Sequence, residues 1–230
     1  RTVQRRFWKW RALHGEGKEV FFPQNHYPGE MGASDFTPMG DLGITIDGKP
    51  FDHLLYHFVL TYSNWETGTV CFSESFESLN EGFQNALWRL GGVVRKHRTD
   101  CLTAAVNNLK DKREFTIRYN SLMRYFGVEA VHTNPDSGNE NGDVEQRHYR
   151  FKRDVVMQEL IVRGSGDFSN RKEYDRFIDG LFDRANAGRM ERFEEFLLVI
   201  LRLRYAVGID EKAFSLLELH CFSKKCYRHI

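Results

Sequence analysis

The chain has 230 residues, a length that suits one domain with a substantial hydrophobic core. Its 33 lysines and arginines balance 32 acidic residues, so the net charge says nothing about partners. Four cysteines without paired spacing exclude a disulfide framework and a cysteine-pair zinc site: Cys71, Cys101, Cys221 and Cys226. No signal peptide and no apolar run of about 18 residues is present, which predicts a cytoplasmic protein without a membrane partner.

Residues 1–13 predict a short, basic, amphipathic helix. Val3, Phe7 and Trp10 fall on one face, and a helix this short needs a partner to bury that face. We expect it to be the end of an upstream helix-turn-helix DNA-binding region, and a plain surface helix is the alternative. Residues 14–30 contain Gly and Pro and predict a linker. The basic side chains of the helix are candidates for DNA contacts: Arg5, Arg6 and Lys9.

From residue 31 the pattern changes to alternating strands and helices. Predicted strands cover residues 32–37, 42–46, 53–62 and 67–72, and three of them indicate an antiparallel meander, which makes the strand that follows the first helix the fourth. A helix over 75–90, a strand over 93–98, a helix around 115–126 and a strand over 128–132 follow. After the irregular loop 133–138, a long helical pattern begins at Asn141. This order predicts an α/β, ribonuclease-H-like fold with a mixed five-stranded sheet flanked by helices, although a generic α/β domain fits these elements too.

Three carboxylates stand at informative places in this order of elements. Asp35 is on the first strand, Asp100 at the end of the fourth, and Glu145 on the helix that crosses the sheet edge. Carboxylates that converge raise one another's pKa values unless cations neutralise them, and Mg²⁺ suits such oxygen ligands. Two ions about 3.5–4 Å apart can activate an attacking hydroxyl and stabilise the leaving oxygen of a phosphodiester. The pattern therefore predicts that these three acids are catalytic residues and metal ligands, although each alone has an ordinary explanation as a turn, cap or solvated residue.

Basic residues on the Glu145 helix are further candidates for DNA contacts. Lys152 is seven residues after Glu145, and at about 100° per residue it returns to nearly the same face, beside apolar Phe151 and Val155. There it would hold a DNA phosphate as a point charge, whereas a solvated helix face is the alternative. Two neighbours on the helix extend this basic surface: Arg147 and Arg153.

Histidine and tryptophan residues suggest other sites less strongly. His53 and His57 share a strand face and would suit a metal, but buried or hydrogen-bonded histidines are the more common explanation. Trp65 and Trp88 are better explained as core or rim aromatics than as platforms for stacked bases.

Three motifs are the most specific signal in the chain. They are residues 34–37 (SDFT), 97–106 (HRTDCLTAAV) and 140–146 (ENGDVEQ). Together they resemble the catalytic-domain motifs of IstA-type insertion-sequence transposases, which belong to the Asp-Asp-Glu, retroviral-integrase-like recombinases. The likeness runs roughly over residues 1–189. Asn139 departs from the histidine expected before Glu-Asn-Gly.

The resemblance implies an enzyme that cuts transposon ends and joins their 3′ hydroxyls to target DNA, using two Mg²⁺ ions with Mn²⁺ as a substitute. It assigns the catalytic roles to Asp35, Asp100 and Glu145, and a DNA-phosphate contact to Lys152. It also implies a homo-oligomeric synaptic complex and an IstB-type AAA+ ATPase as partner. The alternatives are a non-catalytic DNA-binding or multimerisation fragment of a degenerate transposase, and a ribonuclease-H-like nuclease.

The predicted catalytic core covers residues 31–189, and residues 190–230 form a C-terminal extension. The resemblance implies a Pro-containing connection and a small DNA-binding β-domain after the core, but the sequence changes to an apolar run and a tail bearing Cys and Lys. We therefore expect residues from about 196 onward to come from a frameshifted or truncated reading frame, to pack poorly and to leave the product inactive. A genuine C-terminal helix is the alternative, because Phe193, Leu197 and Ile200 keep helical spacing.

Overall fold

The computed structural model of the protein describes residue 6 and residues 26–99, 109–132 and 149–207. Eight strands lie in these ranges: β1 (Met31–Pro38), β2 (Thr45–Ile46), β3 (Lys49–Pro50), β4 (Leu54–Leu60), β5 (Glu66–Cys71), β6 (Lys96–Thr99), β7 (Glu129–His132) and β8 (Asp167–Phe168). Five of them form the main sheet in the order β5-β4-β1-β6-β7. β4 pairs antiparallel with β1 and β5, whereas β6 pairs parallel with β1 and β7. The predicted mixed five-stranded sheet is confirmed.

The strand predicted at 42–46 lies outside the meander, which consists of β1, β4 and β5. Residues Gly40–Leu42 form a 3₁₀ turn, and β2 joins β3 and β8 in a separate small sheet. The chain reverses directly after β2 because Asp47 and Gly48 have positive φ angles of 52° and 69°. Asp167 holds this turn by accepting hydrogen bonds from the Thr45 hydroxyl at 2.5 Å and the Gly48 N–H at 2.9 Å.

Within the described ranges, five helices flank the sheets: α1 (Phe76–Leu90), α2 (Leu109–Tyr125), α3 (Met157–Arg163), α4 (Arg171–Ala187) and α5 (Met190–Val207). A π-helical segment, Phe151–Val156, leads directly into α3. Local chemistry sets the ends of α1, because the Ser75 side chain accepts a hydrogen bond from the Ser78 N–H and Gly91 closes the helix at φ 71°. In the described part of the chain, no helix is long and apolar enough to cross a membrane.

The main sheet separates two hydrophobic clusters. The first lies under α1, α2 and α5 and includes Tyr56 and Phe58 of β4. The second lies under α3, α4 and the π-helical segment and includes Leu55 of the same strand. Neighbouring residues of β4 therefore project to opposite faces, and both faces are buried, as a central strand requires.

Helix α5 is an integral part of the first cluster. The Phe193 ring stacks on Trp65 with centroids 5.4 Å apart, and Phe196 is fully buried. Trp65 is thus a core residue, as its ordinary explanation predicted. The helix runs through position 196 to Val207, so the expected loss of packing does not begin at residue 196. Residues 208–230 lie outside the described part, and their reading frame stays a prediction.

Replacement of Gly82 by alanine is expected to destabilise the fold, although alanine usually favours a helix. A Cβ at Gly82 would lie 2.3 Å from Cδ1 of the buried Tyr56 ring, so the overpacked site should lose about 1–3 kcal/mol in unfolding free energy. Gly180→Ala is the matched control, because a Cβ there has no neighbour within 4 Å and should stabilise α4 by up to about 1 kcal/mol. Urea unfolding measures both; similar gains in the two variants would contradict close packing of α1 on β4.

Candidate active site

Asp35 lies near the middle of β1, the central strand of the main sheet, and is half-buried. Its Cα partner on the antiparallel strand β4 is His57. Directly opposed residues project to the same face, so Asp35 lies on the face that α3 and α4 cover. Its Oδ1 accepts a hydrogen bond from the Phe36 backbone N–H at 2.8 Å, which orients the carboxylate at the strand.

The parallel neighbour of β1 brings the second motif to the same place. Ser34, which precedes Asp35, has Thr99 of β6 as its Cα partner. Thr99 is buried and is the last residue of β6. Asp100 itself lies outside the described residues, so the structure gives the position of its immediate predecessor and no contact of its carboxylate.

A buried chain of hydrogen bonds joins β1, β6 and α2 beneath this point. His97 Nε2 lies 3.0 Å from the Ser34 hydroxyl, and its Nδ1 lies 3.0 Å from the Tyr119 hydroxyl. The Tyr119 hydroxyl donates to the His97 carbonyl, so Nδ1–H donates to Tyr119 and Nε2 accepts from Ser34. Burial lowers the pKa of His97 to about 3, which keeps the imidazole neutral.

Folding stability should therefore fall in mild acid through His97. Between about pH 6.5 and pH 3 the unfolded state binds the proton and the folded state does not, so the contribution of His97 is complete above 6.5 and shrinks as the pH falls. The limiting slope is about 1.4 kcal/mol per pH unit. Urea unfolding at pH 4–6 should show this extra slope relative to the His97→Gln variant, because glutamine at position 97 does not titrate. Parallel pH profiles of the two proteins would contradict a neutral buried His97.

The helical segment that follows the third motif is attached to the end of β1. The Lys152 ammonium donates to the Pro38 carbonyl and pairs with the Asp41 carboxylate. The Lys152 side chain is mostly buried, whereas that of Asp41 is 69% exposed. Lys152 thus binds β1 at Pro38, three residues after Asp35 on the same strand. Glu145 lies outside the described residues, so the predicted common face of Glu145 and Lys152 stays a prediction.

The π-helical segment changes the predicted apolar stripe of this helix. Phe151 and Val156 are buried, five residues apart, whereas the expected partner Val155 is only half-buried. A hydrogen-bond pattern of i to i+5 accounts for this spacing, and such segments are frequent at functional sites. The Phe151 ring lies against His57, with centroids 5.2 Å apart, and therefore on the face of Asp35.

His57 belongs to a buried ionic network. Its Nε2 lies 2.9 Å from one oxygen of Glu66, and Arg189 Nη1 donates to the other oxygen at 2.6 Å. The Asn186 side-chain amide makes two hydrogen bonds to the Glu66 backbone. It accepts from the N–H at 2.9 Å and donates to the carbonyl at 2.7 Å. Burial opposes ionisation of Glu66, but the hydrogen bond and charge of His57, with Arg189, outweigh it and lower the pKa of Glu66.

The predicted alternative of a histidine metal site has no support in this geometry. His53 Nδ1 lies 2.8 Å from the Phe51 carbonyl, and its Nε2 lies 2.8 Å from the Tyr174 hydroxyl. His57 is engaged by Glu66. Within residues 26–99, 109–132 and 149–207, no group of three His, Cys, Asp or Glu side chains could hold a metal ion. Asp100 and Glu145 of the predicted metal site lie outside these ranges.

Comparison with known proteins gives one sequence relative and a set of structural ones. No family model matches the chain. The uncharacterized protein y4jA/y4nE/y4sE of Sinorhizobium fredii is 44% identical over 197 residues, which cover 84% of this chain and 39% of that protein. The chain thus spans about two fifths of the length of this curated relative.

The magnesium complex of the HTLV-2 integrase catalytic core domain, in its dimeric form, superposes with a TM-score of 0.50 and 14% identity, over 71% of this chain and 90% of that one. Its trimeric form has a TM-score of 0.45 and 13% identity, over 70% and 85% of the two chains. The fold is that of a retroviral integrase catalytic core. At this identity the likeness shows the fold alone.

The structure describes three of the six predicted DNA contacts. Arg153 is exposed, donates to the Tyr149 hydroxyl at 3.0 Å and pairs with Asp154. Arg6 is exposed with helical backbone. Lys152 is held at the end of β1, as described above. The remaining candidates lie outside the described residues: Arg5, Lys9 and Arg147.

The sequence patterns did not predict the residues whose side chains bind to and hold the elements of the candidate site. Glu66 and Arg189 are 123 residues apart, and neither belongs to a motif or to a periodic pattern. Asp41 is in the loop after β1, where an acid is unremarkable. Tyr119 lies in the helix predicted around 115–126, but its link to His97 depends on how α2 packs on the sheet. The available signal was His57, which lies on the strand next to that of the predicted catalytic acid Asp35.

Proposed function

We propose that this chain contributes the catalytic domain of an IstA-type transposase, which cleaves the ends of an insertion sequence and joins their 3′ hydroxyls to target DNA. One observation carries the proposal: in an integrase-core fold, β1 carries Asp35 and contacts both the residue before Asp100 and a residue seven places after Glu145. Thr99 pairs with Ser34 beside Asp35, and Lys152 binds the Pro38 carbonyl at the end of the same strand.

Chain connectivity supports the convergence of the acids. The Cα of Asp100 is one peptide unit, about 3.8 Å, from that of Thr99. Side chains alternate along a strand, so the period of β6 predicts position 100 on the face of Asp35, opposite to that of Thr99. Glu145 precedes Lys152 by seven residues, about 10 Å along a helix, which is within reach of the same strand end.

The chemistry of this donor set fits magnesium. Asp35 presents a half-buried carboxylate, and Asp100 and Glu145 would complete a set of oxygen ligands with no nitrogen or sulfur. Two bound Mg²⁺ ions, or Mn²⁺ in their place, supply activation of the attacking hydroxyl and stabilisation of the leaving oxygen. The three acids would hold this centre, the Ser34–His97–Tyr119 chain holds β1 against β6, and Lys152 and Arg153 would bind phosphates. A phosphate would compete with exposed Asp41 for Lys152.

The same proposal includes the partners that the resemblance implies. They are transposon-end and target DNA, further copies of this chain in a synaptic complex, and an IstB-type AAA+ ATPase. The HTLV-2 domain is described in a dimeric form, which supports assembly of this chain. The limits of the catalytic core at residues 31–189 and the helix-turn-helix region before it belong to the proposal as well.

Incubation of the chain with labelled terminal sequences of its element, supercoiled plasmid and Mg²⁺ or Mn²⁺ tests this function. A labelled end covalently joined to plasmid is the expected product. Cleavage without joining, in particular of an RNA–DNA hybrid, would indicate a ribonuclease-H-like nuclease instead. A shifted band without either product would indicate a non-catalytic DNA-binding fragment. Addition of EDTA should abolish joining, whereas binding through basic side chains should persist.

A further inference from the structure

The buried Glu66 carboxylate stands out because both of its oxygens are used by different parts of the chain. Glu66 begins β5, His57 is on β4, Asn186 is at the end of α4, and Arg189 follows that helix. Only 3% of Glu66 is exposed, and each of the three partners lies within 3.0 Å of it. The network ties the meander to the C-terminal helices.

The network continues through aromatic rings to the start of the Lys152 segment. His57, fully buried, lies 5.2 Å from the Phe151 ring and 5.3 Å from the Phe182 ring, measured between centroids. Phe151 and Phe182 stack with centroids 4.1 Å apart and an angle of 6°. The Phe151 ring therefore packs against the His57 ring. The hydrogen bond between His57 and Glu66 fixes the orientation of the His57 ring.

Stability alone is a weak reason for such a network. Removing a carboxylate and a guanidinium from water costs several kcal/mol each, and apolar residues of similar size often serve a core equally well. A buried network of hydrogen bonds that joins several elements instead favours one geometry over its neighbours. Here that geometry is the position of Phe151 relative to β4, and hence of the helical segment relative to β1.

We infer that Glu66 is a positioning residue, which acts through His57 and Phe151 to set the distance between Asp35 and the π-helical segment that follows the third motif. This inference rests on the proposed function for its catalytic consequence. Asp35 and His57 are directly opposed in the sheet, and Phe151 is six residues after Glu145. A small displacement of Phe151 would thus separate metal ligands, and misplacements of about 1 Å lower rates by up to about 100-fold.

Glu66→Gln tests the inference with little change in shape. The amide oxygen can accept from His57 or from Arg189, but the charge that holds both is lost. Hydrogen exchange of the backbone amides in 149–163 should become at least about tenfold faster, while that of α1 stays unchanged. In strand transfer, the Mg²⁺ concentration for half-maximal rate should rise about tenfold.

Leu79→Ala is the matched control, because Leu79 is fully buried under the opposite face of the sheet. It should lower stability without a change in exchange over 149–163 or in Mg²⁺ dependence. If Glu66→Gln does not fold, Arg189→Met is the second variant. It removes one hydrogen bond to Glu66 and should increase exchange over 149–163 and the Mg²⁺ requirement by smaller factors.

The two readouts separate this inference from the proposed function. If the unsubstituted chain joins no DNA, the proposed function fails, and the exchange measurement still tests the link from Glu66 to Phe151. Unchanged exchange over 149–163 in the folded variant would overturn that link. Faster exchange with unaltered Mg²⁺ dependence in an active enzyme would overturn the positioning role.

Discussion

Asp35→Asn is expected to abolish DNA strand transfer, with a loss of roughly 10³-fold or more in rate. The amide has nearly the same shape, so it keeps the hydrogen bond that Oδ1 accepts from the Phe36 N–H and leaves the fold unchanged. It lacks the negative charge with which a carboxylate attracts a divalent cation, so it is a much weaker ligand. DNA affinity should change little, because the basic side chains that bind phosphate remain. The same loss is expected for Asp100→Asn and Glu145→Gln.

Asp47→Asn is the matched control for this substitution. Asp47 is in the turn between β2 and β3 with a φ of 52°, a conformation that asparagine adopts readily. This variant should keep the original strand-transfer rate in Mg²⁺ and the same melting temperature. An Asp35→Asn protein that joins DNA as fast as the unsubstituted chain would exclude Asp35 as a metal ligand and remove the basis of the proposed site.

Phe196→Ala is expected to lower the free energy of unfolding by about 3–5 kcal/mol. Only 1% of Phe196 is exposed, and its ring stacks with that of Phe193 at 5.9 Å between centroids. Loss of the ring would leave a cavity between α5 and the sheet. Urea unfolding followed by circular dichroism measures the change.

Leu198→Ala on the same helix provides the comparison. Leu198 is 56% exposed, so its truncation should change the unfolding free energy by no more than about 0.5 kcal/mol. Equal, small effects of both substitutions would mean that α5 is not packed on the core. In that case the poor packing expected of a foreign reading frame from about residue 196 would be observed.

Much of the architecture was accessible from local sequence patterns. The apolar period over 75–90 and the caps at Ser75 and Gly91 define α1, because helix formation depends on residues three and four apart. The order of strands and helices predicted the mixed sheet. The motif around Asp35 was sufficient to place this acid on the first strand. These features depend on neighbours in the chain, so a linear pattern carries them.

Other features depended on contacts between distant residues. The segment 42–46 has the composition of a sheet strand, yet it pairs with β8 because Asp167, more than 100 residues away, holds its turn. The π-helical segment moved the buried position from Val155 to Val156. The link from Glu66 to Arg189 spans 123 residues. Burial of a charge is favourable only when all partners arrive together, and only the tertiary structure decides which residues those are.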